Sequence, residues 1–411
     1  MHRCRRYLVG AIHESPLQDP ARSEWQSDKW KRPQSAMTRF SFSISVLIMA
    51  SLLPLSADLP SVRSETAMKT EDASCEIADI AWTLGPNLPE FRKGGCAAEL
   101  GGNVISVFGM RQPWGEMDTM YVYDPEADWW SRGIDGPLGQ TYVQGTKCGG
   151  SFYSIGGRSQ AEGGVHTRCF RLSERNGKYV WDEAAQLNES RGWAPSASVD
   201  EKIYVFGGAK SGHGPTMNGI ECLNAAVADG KWAKIGDLPG ESRGWSGAAS
   251  VGGKIYLIGG LHFFSPKPET GPVRKPLNEV LQFDPETAQW EPRSPLPYRL
   301  SGLDCCACRD RYIIVVGGQA DTEEFTPEMK EIWRKDRFYE SYYCPFVLVY
   351  DSLVDRWYRM PSTLPMPTND IRVVLLDDSL YVLGGEDIEP ATSNTTPWLR
   401  IGRIVTRETK D

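Results

Sequence analysis

The sequence lacks the features on which several large classes of function depend. No basic face is evident in the body of the chain, and the formal net charge is −8, which argues against DNA or RNA as a partner. The chain contains no G-x-S-x-G nucleophile motif, no phosphate-binding glycine loop and no histidine and cysteine set with metal-ligand spacing. We therefore expect neither a metal nor a nucleotide cofactor.

Long hydrophobic runs are also missing. The apolar run at about 44–55 follows Arg39 and precedes the small residues Ser56 and Ala57, and it is shorter than the roughly twenty residues that span a bilayer. This pattern favours a cleaved export signal over a membrane anchor or a buried helix. We expect a periplasmic or secreted protein with no membrane span in its mature chain.

The predicted signal divides the N-terminal part of the chain, with Met37 as the expected start. The expected segments are an upstream or disordered extension over 1–36, the signal over 37–57 and a linker over 58–74.

Removal of Cys4 with this leader leaves nine cysteines, which cannot all pair within one chain. Cys305, Cys306 and Cys308 form the densest group, but they lack the C-x-x-C spacing and the second pair that are typical of zinc sites. We interpret the cysteines mainly as small buried strand residues; a disulfide in an exported protein and a metal site are the alternatives.

Internal repeats dominate the rest of the sequence. Apolar runs that end in glycine recur as VISVFGM, FYSIGG, IYVFGG, IYLIGG, YIIVVGG and LYVLGG. The first glycines lie at 109, 156, 207, 259, 317 and 384, at intervals of 47 to 67 residues. Each run predicts a buried strand that ends where the backbone must turn sharply.

A second signal lies between the glycine pairs. YVYDPEADWW, LQFDPETAQW and VLVYDSLVDRW each contain a strand, a tight turn and a tryptophan on the return strand. Trp181 and Trp232 hold the same place in two units with longer hairpins. A repeat of about fifty residues with four strands, Gly-Gly and a spaced tryptophan resembles the Kelch motif. The predicted fold is therefore all-β, a six-bladed Kelch β-propeller.

The order of the signals predicts how the ring closes. No hairpin tryptophan follows the last glycine pair at the usual place, yet Trp82 precedes the first pair. We expect the N-terminal segment to supply the outer strand of the last blade, giving one propeller domain over about 75–407. Such a splice leaves no exposed sheet edge in the ring.

Two sets of loops are expected on one rim of this ring, the loops that follow each Gly-Gly and the loops that lead into each new blade. Rigid scaffolds commonly carry function on such loops. The loops between blades contain four arginines that could bind an anionic ligand at the mouth: Arg92, Arg191, Arg243 and Arg299. The alternative is a structural pairing of three of them with glutamates two residues earlier: Glu90, Glu189 and Glu241.

The loops after Gly-Gly supply the other candidate residues. Arg158 and Gln319 could also contact a ligand, and Glu386 directly follows Gly385. Partial burial at that place would raise the pKa of the Glu386 carboxyl toward that of a useful acid and base.

An insertion over 319–345 enlarges the same rim. It has a plausible helix start at Thr326 and Pro327, an apolar helix face that includes Met329, Ile332 and Trp333, and closing aromatics. These aromatics are Phe338, Tyr339, Tyr342 and Tyr343. The helix either roofs the mouth or packs against the side of the propeller.

The last two blades narrow the resemblance further. VVGGQ, an aromatic-rich insertion, FVLVYDSLVDRW, YVLGGE and a later arginine resemble the bacterial N-acetylneuraminate epimerases, or sialic acid mutarotases. The resemblance implies an exported six-bladed Kelch propeller with Glu386 and Arg400 as its glutamate and arginine pair, in a circularly permuted order. Arg403 is the alternative to Arg400.

The function implied by this resemblance is interconversion of the anomers of N-acetylneuraminate or a related acidic sugar. Glu386 would transfer the proton, while Arg400 and the other arginines would hold the substrate carboxylate. The main alternative is a non-catalytic propeller that binds a glycan or a protein partner, and a lyase or oxidase is the third possibility.

Overall fold

A computed structural model describes residues 75–111, 115–212, 214–265, 273–321, 330–331, 333–335, 341–386 and 395–407. All of them belong to one compact unit, Glu65–Asp411. No helix in this described part is long and apolar enough to cross a membrane. The predictions for residues 1–74 and for Thr326, Pro327, Met329, Ile332, Phe338 and Tyr339 lie outside the described residues.

Six antiparallel sheets of four main strands form the blades. Blade 1 contains Cys96–Leu100, Asn103–Val107, Met120–Asp124 and Trp129–Arg132. Blade 2 contains Gln144–Cys148, Ser151–Ile155, Cys169–Arg175 and Lys178–Ala184. Blade 3 contains Ser196–Val199, Lys202–Phe206, Gly219–Asn224 and Ala233–Asp237.

The other three blades have the same strand order. Blade 4 contains Gly247–Val251, Lys254–Ile258, Val280–Asp284 and Gln289–Arg293. Blade 5 contains Ser301–Cys308, Tyr312–Asp321, Phe346–Asp351 and Arg356–Thr363. Blade 6 contains Arg372–Leu376, Ser379–Leu383, Leu399–Thr406 and Ile77–Leu84.

Short strands extend the loops after the second strands. They are Met110–Arg111 with Gly115–Glu116, Arg158–Ser159 with Gly164–Val165, Leu261–Phe264 with Val273–Pro276, and Arg334–Lys335 with Ser341–Tyr343.

The first strands of the blades surround a central channel. Each contacts the first strand of the blade before and after it, and the first strand of blade 6 contacts that of blade 1. The ring is therefore closed, and the predicted six-bladed propeller is confirmed.

The N-terminal strand completes blade 6, as the repeat order predicts. Ile77–Leu84 pairs antiparallel with Leu399–Thr406, and Trp82 lies opposite Gly402. The seam is also packed, because Val104 and Tyr121 of blade 1 share a buried cluster with Tyr381 and Leu383 of blade 6. Burial of each large apolar side chain of this kind contributes about 1.5–3 kcal/mol.

The hairpin tryptophans connect neighbouring blades. The indole N–H of Trp130 donates to the carbonyl of Pro86 at 2.9 Å, and that of Trp232 donates to Ala185 at 2.8 Å. Trp357 makes the same contact with Ser294 at 2.8 Å. Each acceptor lies just after the fourth strand of the preceding blade, so these tryptophans supply hydrogen-bond donors to carbonyls where a strand ends.

The glycine pairs sit where loops from two blades meet. Gly384 and Gly385 have φ values of +59° and +114°. A Cβ on Gly384 would lie 2.5 Å from the Arg92 carbonyl oxygen, so the position excludes a side chain in this conformation. In blade 1 the first place of the pair is held by Phe108, with a φ of +62°. Gly109 therefore corresponds to the second glycine of the other blades, whereas the sequence analysis aligned it with the first.

All nine cysteines of the described region are free thiols. The predicted disulfide alternative is therefore wrong for these residues, and the interpretation as strand residues fits better. Cys305 and Cys308 are buried on the first strand of blade 5, and burial raises the pKa of the Cys308 thiol to about 11.

Trp333 is the described member of the predicted apolar helix face. It is buried and packs edge-on against Tyr298 and Phe346, at centroid distances of 5.3 and 5.6 Å. Phe346 belongs to the third strand of blade 5. This contact is the one expected if the insertion packs against the propeller.

Candidate functional site

The loops between blades and the loops after Gly-Gly meet on one rim, here called the Gly-Gly rim. The second glycine of each pair donates its N–H to a carbonyl of the next loop between blades. Gly385 donates to Arg92 at 3.1 Å, Gly157 to Arg191 at 2.9 Å and Gly208 to Arg243 at 2.8 Å. The predicted meeting of the two loop sets is therefore present.

The same hydrogen bond identifies the equivalent residue in every blade. The acceptors in the six loops are Arg92, Gln140, Arg191, Arg243, Leu300 and Thr368. Leu300 is fully buried and takes the place that sequence spacing had assigned to Arg299. Arg299 is exposed and does not join the set. The spacing from the preceding tryptophan varies between blades, so it places this residue only to within one position.

The three arginines of this set point into the blades. Arg191 donates to the carbonyls of Gly207 and Gly219 at 2.9 and 2.7 Å and pairs with the buried Glu221 at 2.7 Å. Arg191 is 1% exposed. Such contacts satisfy strand-end carbonyls inside the protein.

Arg92 and Arg243 have similar surroundings. Arg92 donates to the carbonyls of Phe108 and Thr119, and Arg243 pairs with Glu279 at 2.6 Å. Burial lowers the pKa of Arg92 to about 10. The arginines are 4.0 Å or less from the predicted partners Glu90 and Glu189, yet Glu241 pairs with Lys275. The arrangement resembles the structural alternative, so ligand binding by these arginines stays a prediction.

Arg400 is also buried beneath the rim. Its guanidinium donates to the carbonyls of Pro365 at 2.8 Å, Met366 at 2.7 Å and Gly384 at 3.2 Å. It also lies over the Trp398 ring, with the guanidinium carbon 5.0 Å from the centroid. These contacts clamp a loop to the end of a strand. Arg403, the alternative, lies on the third strand of blade 6 and is exposed.

Glu386 lies on the rim beside a lysine that the sequence analysis missed. Its carboxylate accepts a hydrogen bond from Lys93 Nζ at 2.7 Å, and the side chains are 16% and 5% exposed. Burial acts to lower the pKa of Lys93, but the Glu386 carboxylate, its hydrogen bond and the nearby Asp370 raise it above its usual value. Lys93 therefore stays positively charged at neutral pH.

Arg158 and Gln319 occupy the places that correspond to Glu386 in blades 2 and 5. Arg158 pairs with Glu116, and it is one-third exposed. The Gln319 side chain is buried and accepts a hydrogen bond from the Asn369 amide at 2.6 Å. In blade 1 the corresponding residue is Met110 rather than Arg111, because Met110 pairs with Lys93.

Two residues beyond each of these six acceptor residues, the loops between blades reach the propeller axis. The six residues at this place, here called the axial positions, all have φ between +50° and +67°. They are Gly94, Tyr142, Trp193, Trp245, Gly302 and Asp370. Backbone hydrogen bonds of 2.9–3.0 Å connect Tyr142 to Trp193, Trp193 to Trp245, Trp245 to Gly302 and Gly302 to Asp370.

Three aromatic rings stack along one side of the axial positions. Tyr142 and Trp193 have ring centroids 4.4 Å apart, and Trp193 and Trp245 have centroids 4.8 Å apart. Trp193 is buried between its neighbours, while Tyr142 and Trp245 are partly exposed. The left-handed backbone of these bulky residues is strained, which is common at functional sites.

Asp370 is the charged member of the axial positions. Burial raises the pKa of its carboxyl, and the nearby Lys93 and Arg372 act in the opposite direction. Within the described ranges its carboxylate accepts no hydrogen bond from a protein donor. The raised pKa keeps this carboxyl protonated to a higher pH than an exposed aspartate.

The central channel begins beneath the axial positions and has a volume of about 360 Å³. Arg372 crosses from blade 6 and donates to the carbonyls of Gly95 at 2.5 Å and Val143 at 3.4 Å. Asp304 accepts the backbone N–H of Val373 at 2.8 Å, and burial raises the pKa of its carboxyl. Two opposite charges thus line the rim end of the channel.

Lys93, Asp370 and the stacked aromatics escaped the sequence analysis. Trp193 and Trp245 lie in two copies of Arg-Gly-Trp, so this repeated tripeptide was the available signal. Lys93 directly follows Arg92, but a one-residue step decides whether a side chain enters the blade or approaches the axis. The side-chain direction at these two positions depends on the backbone conformation, which the sequence pattern does not reveal.

Comparisons with known proteins agree with the fold. The chain is 29% identical over 262 residues to N-(sulfonatooxy)prop-2-enimidothioate sulfolyase from Thlaspi arvense, which covers 58% of this chain and 73% of that relative. It is 23% identical over 210 residues to Kelch-like protein 36 from Mus musculus, covering 50% of this chain and 32% of the relative. The chain therefore spans about a third of the length of that relative.

A solved structure and a family pattern complete the comparison. The structure titled "Structure of YjhT" superposes with a TM-score of 0.58 at 15% identity, covering 79% of this chain and 99% of the other. This likeness concerns the fold alone. The pattern of the KLHDC2/KLHL20/DRC7 Kelch-repeats domain matches residues 143–385, more than half of the chain. The chain therefore belongs to the KLHDC2/KLHL20/DRC7 Kelch-repeats domain family.

Proposed function

We propose that this propeller is a mutarotase that interconverts the anomers of N-acetylneuraminate or a related acidic sugar at the Gly-Gly rim. The observation that carries the proposal is the Lys93–Glu386 contact of 2.7 Å beside the Asp370 carboxyl. Acid and base groups near one cation are what proton transfer to and from a sugar requires. The similarity to a sulfolyase supports an enzymatic propeller over a purely structural one.

The proposed reaction needs two proton transfers and no redox step. Glu386 takes the proton of the anomeric hydroxyl as the bond between the anomeric carbon and the ring oxygen breaks, which leaves a keto group. The ring oxygen receives a proton from Asp370, whose pKa is raised by burial. Rotation about the adjacent carbon–carbon bond and reversal of both transfers close the ring with the other anomeric configuration.

The cations of the site have a different assignment from the one that the resemblance implies. Arg400 directs its guanidinium to three backbone carbonyls, so we assign it a structural role. Arg372 is also held by backbone carbonyls, but unlike Arg400 it lies near Asp370. Its charge and that of Lys93 would therefore attract a sugar carboxylate through the local field. Export, as the N-terminal apolar run predicts, would place the enzyme where free sugars from outside the cell are met.

Exchange spectroscopy by NMR on N-acetylneuraminate anomers tests this function. We expect the native protein to accelerate anomer exchange and Glu386→Gln to lose about 100-fold or more of that acceleration, because a neutral amide cannot accept the proton. Glu116→Gln is the matched control, since Glu116 is another ion-paired carboxylate on the same rim. Equal rates for native protein and Glu386→Gln, with both folded, would contradict the proposal.

The second candidate is a non-catalytic propeller that binds a glycan or a protein on this rim. It is favoured by the burial of Arg92, Arg191, Arg243 and Arg400, which leaves fewer cations for the substrate than the resemblance implies. The NMR experiment separates the two candidates. Line broadening of the sugar signals or saturation transfer from protein to sugar, without accelerated exchange, supports the binding function.

A further inference from the structure

The aromatic stack at the axial positions ends at Trp245, two positions before Asp370. Successive rings lie 4.4 and 4.8 Å apart from Tyr142 to Trp193 to Trp245. The next axial position is Gly302, which has no side chain, and the one after it is Asp370. Among the described residues, the other face of Trp245 contacts no aromatic ring.

The space above Gly302 can hold atoms without displacing the protein. A Cβ at Gly302 would lie 3.4 Å from Asn369 Cβ and 3.5 Å from Asp370 Oδ1, which are ordinary van der Waals distances. Gly94, the other glycine of the axial positions, differs. A Cβ there would lie 2.9 Å from Thr141 Oγ1 and 3.0 Å from the Tyr142 ring. The two glycines therefore flank Asp370, but Gly302 leaves space for an added side-chain atom and Gly94 does not.

We propose that the slot over Gly302, between the free face of Trp245 and the Asp370 carboxylate, is a subsite for a pyranose ring. The ring would continue the stack by one member, with its apolar face on Trp245. The protonated Asp370 carboxyl would donate its O–H to the ring oxygen and accept a sugar hydroxyl on its other oxygen. Within the described part of the protein this carboxyl accepts no hydrogen bond. This subsite rests on the proposed function and adds the place and orientation of the sugar.

The charges around the slot favour an acidic sugar over a neutral one. Lys93 and Arg372 are the cations near Asp370, and Glu386 is the other carboxylate next to Lys93. With Asp370 protonated, as the proposed reaction requires, the two cations outnumber the Glu386 carboxylate, and a sugar carboxylate offsets the remaining positive charge. Stacking of an aliphatic ring face on indole adds apolar contact area without charge.

The axial positions themselves suggest the variant that tests the slot. Tyr142, Trp193 and Trp245 show that this left-handed backbone accepts a bulky aromatic side chain, with φ values of +52° to +54°. Gly302→Trp would extend the stack and fill the slot. Gly302→Ala introduces the same backbone strain without blocking the slot, because its Cβ meets only ordinary contacts.

Saturation-transfer NMR and calorimetric titration with N-acetylneuraminate measure the effect, with glucose as the neutral sugar. We expect Gly302→Trp to weaken N-acetylneuraminate binding at least tenfold, Gly302→Ala to change it less than threefold, and glucose to bind more weakly than N-acetylneuraminate. Thermal unfolding establishes that both variants are folded. Unchanged binding by a folded Gly302→Trp, or no binding by the native protein, overturns the subsite.

The same samples separate this inference from the proposed function. If native protein binds the sugar, Gly302→Trp does not, and anomer exchange is never accelerated, then the subsite stands and the mutarotase function fails. If native protein and Gly302→Trp accelerate exchange equally, then the function stands and the subsite is wrong.

Discussion

The buried arginines and Lys93 lie in the same kind of loop between blades, yet their side chains have different partners. Arg191 and Arg243 are buried and bind backbone carbonyls and a glutamate inside the blades. Lys93, one residue beyond Arg92, approaches the axis and pairs with Glu386. The difference shows that repeated arginines in the loops between blades can stabilise the ends of strands and need not bind a ligand.

The backbone explains the difference. At the Arg191 place the backbone carbonyl accepts the N–H of the second glycine of the preceding glycine pair. This hydrogen bond fixes the backbone so that the side chain enters the blade. Two residues later the chain turns into the left-handed region and presents Tyr142, Trp193, Trp245 or Asp370 near the axis. Function at this rim therefore depends on the residue that follows the turn, and not on the arginine before it.

Arg191→Met should show the largest effect on stability. It leaves the buried Glu221 carboxylate without its cation and removes the guanidinium donors of the Gly207 and Gly219 carbonyls. We therefore expect a loss of about 3–5 kcal/mol in the free energy of unfolding. Chemical denaturation measures this loss. If the change costs less than about 1 kcal/mol, the structural role of the arginine is wrong.

The double variant Arg191→Met/Glu221→Gln serves as the control. The glutamine removes the buried charge but can still accept the hydrogen bonds from Asn188. The double variant should therefore be more stable than Arg191→Met alone.

The buried His166 side chain should make the free energy of unfolding depend on pH. His166 is 5% exposed, neither ring nitrogen has a hydrogen-bond partner within the described region, and burial lowers its pKa to about 4. Since its usual pKa is about 6.5, the unfolded chain binds a proton that the folded chain does not between these values. The contribution of His166 is complete above pH 6.5 and is lost as the pH falls to about 4.

His166→Met tests this pH dependence, because Met217 holds the same place in blade 3. The variant should remove about 3 kcal/mol of the stability difference between pH 7 and pH 4. Urea denaturation at a series of pH values measures it. An unchanged acid sensitivity in the variant would show that other groups are responsible.

Arg299→Ala should have the smallest effect. Arg299 is exposed, and Leu300 holds the place of the buried arginines, so we expect a change of less than about 0.5 kcal/mol. Comparison with Arg191→Met in the same denaturation assay separates the two kinds of arginine. A cost near that of Arg191→Met would mean that Arg299 belongs with the buried set after all.

The sequence predicted the parts of the molecule that repeat. Glycine pairs, hairpin tryptophans and the early Trp82 are local signals with a regular spacing, and they predicted six blades and the closure of blade 6 by the N-terminal strand. The shift at Phe108 was not predictable in this way, since a phenylalanine at a φ of +62° has no sequence signature. The sequence spacing also could not tell that Leu300, and not Arg299, is equivalent to the buried arginines. A backbone hydrogen bond from Gly260 to Leu300 identifies it.

The sequence by itself determined the number of blades, the way the ring closes and the presence of Glu386 at the end of a strand. These features follow from local periodicity and from the need to satisfy backbone groups at strand ends. Only the tertiary structure decided that Arg400 clamps a loop and that Lys93 pairs with Glu386. It also decided that the aromatic stack ends at Trp245, with Gly302 between that ring and Asp370. Contacts of this kind join residues from different blades, and their geometry arises when the ring closes.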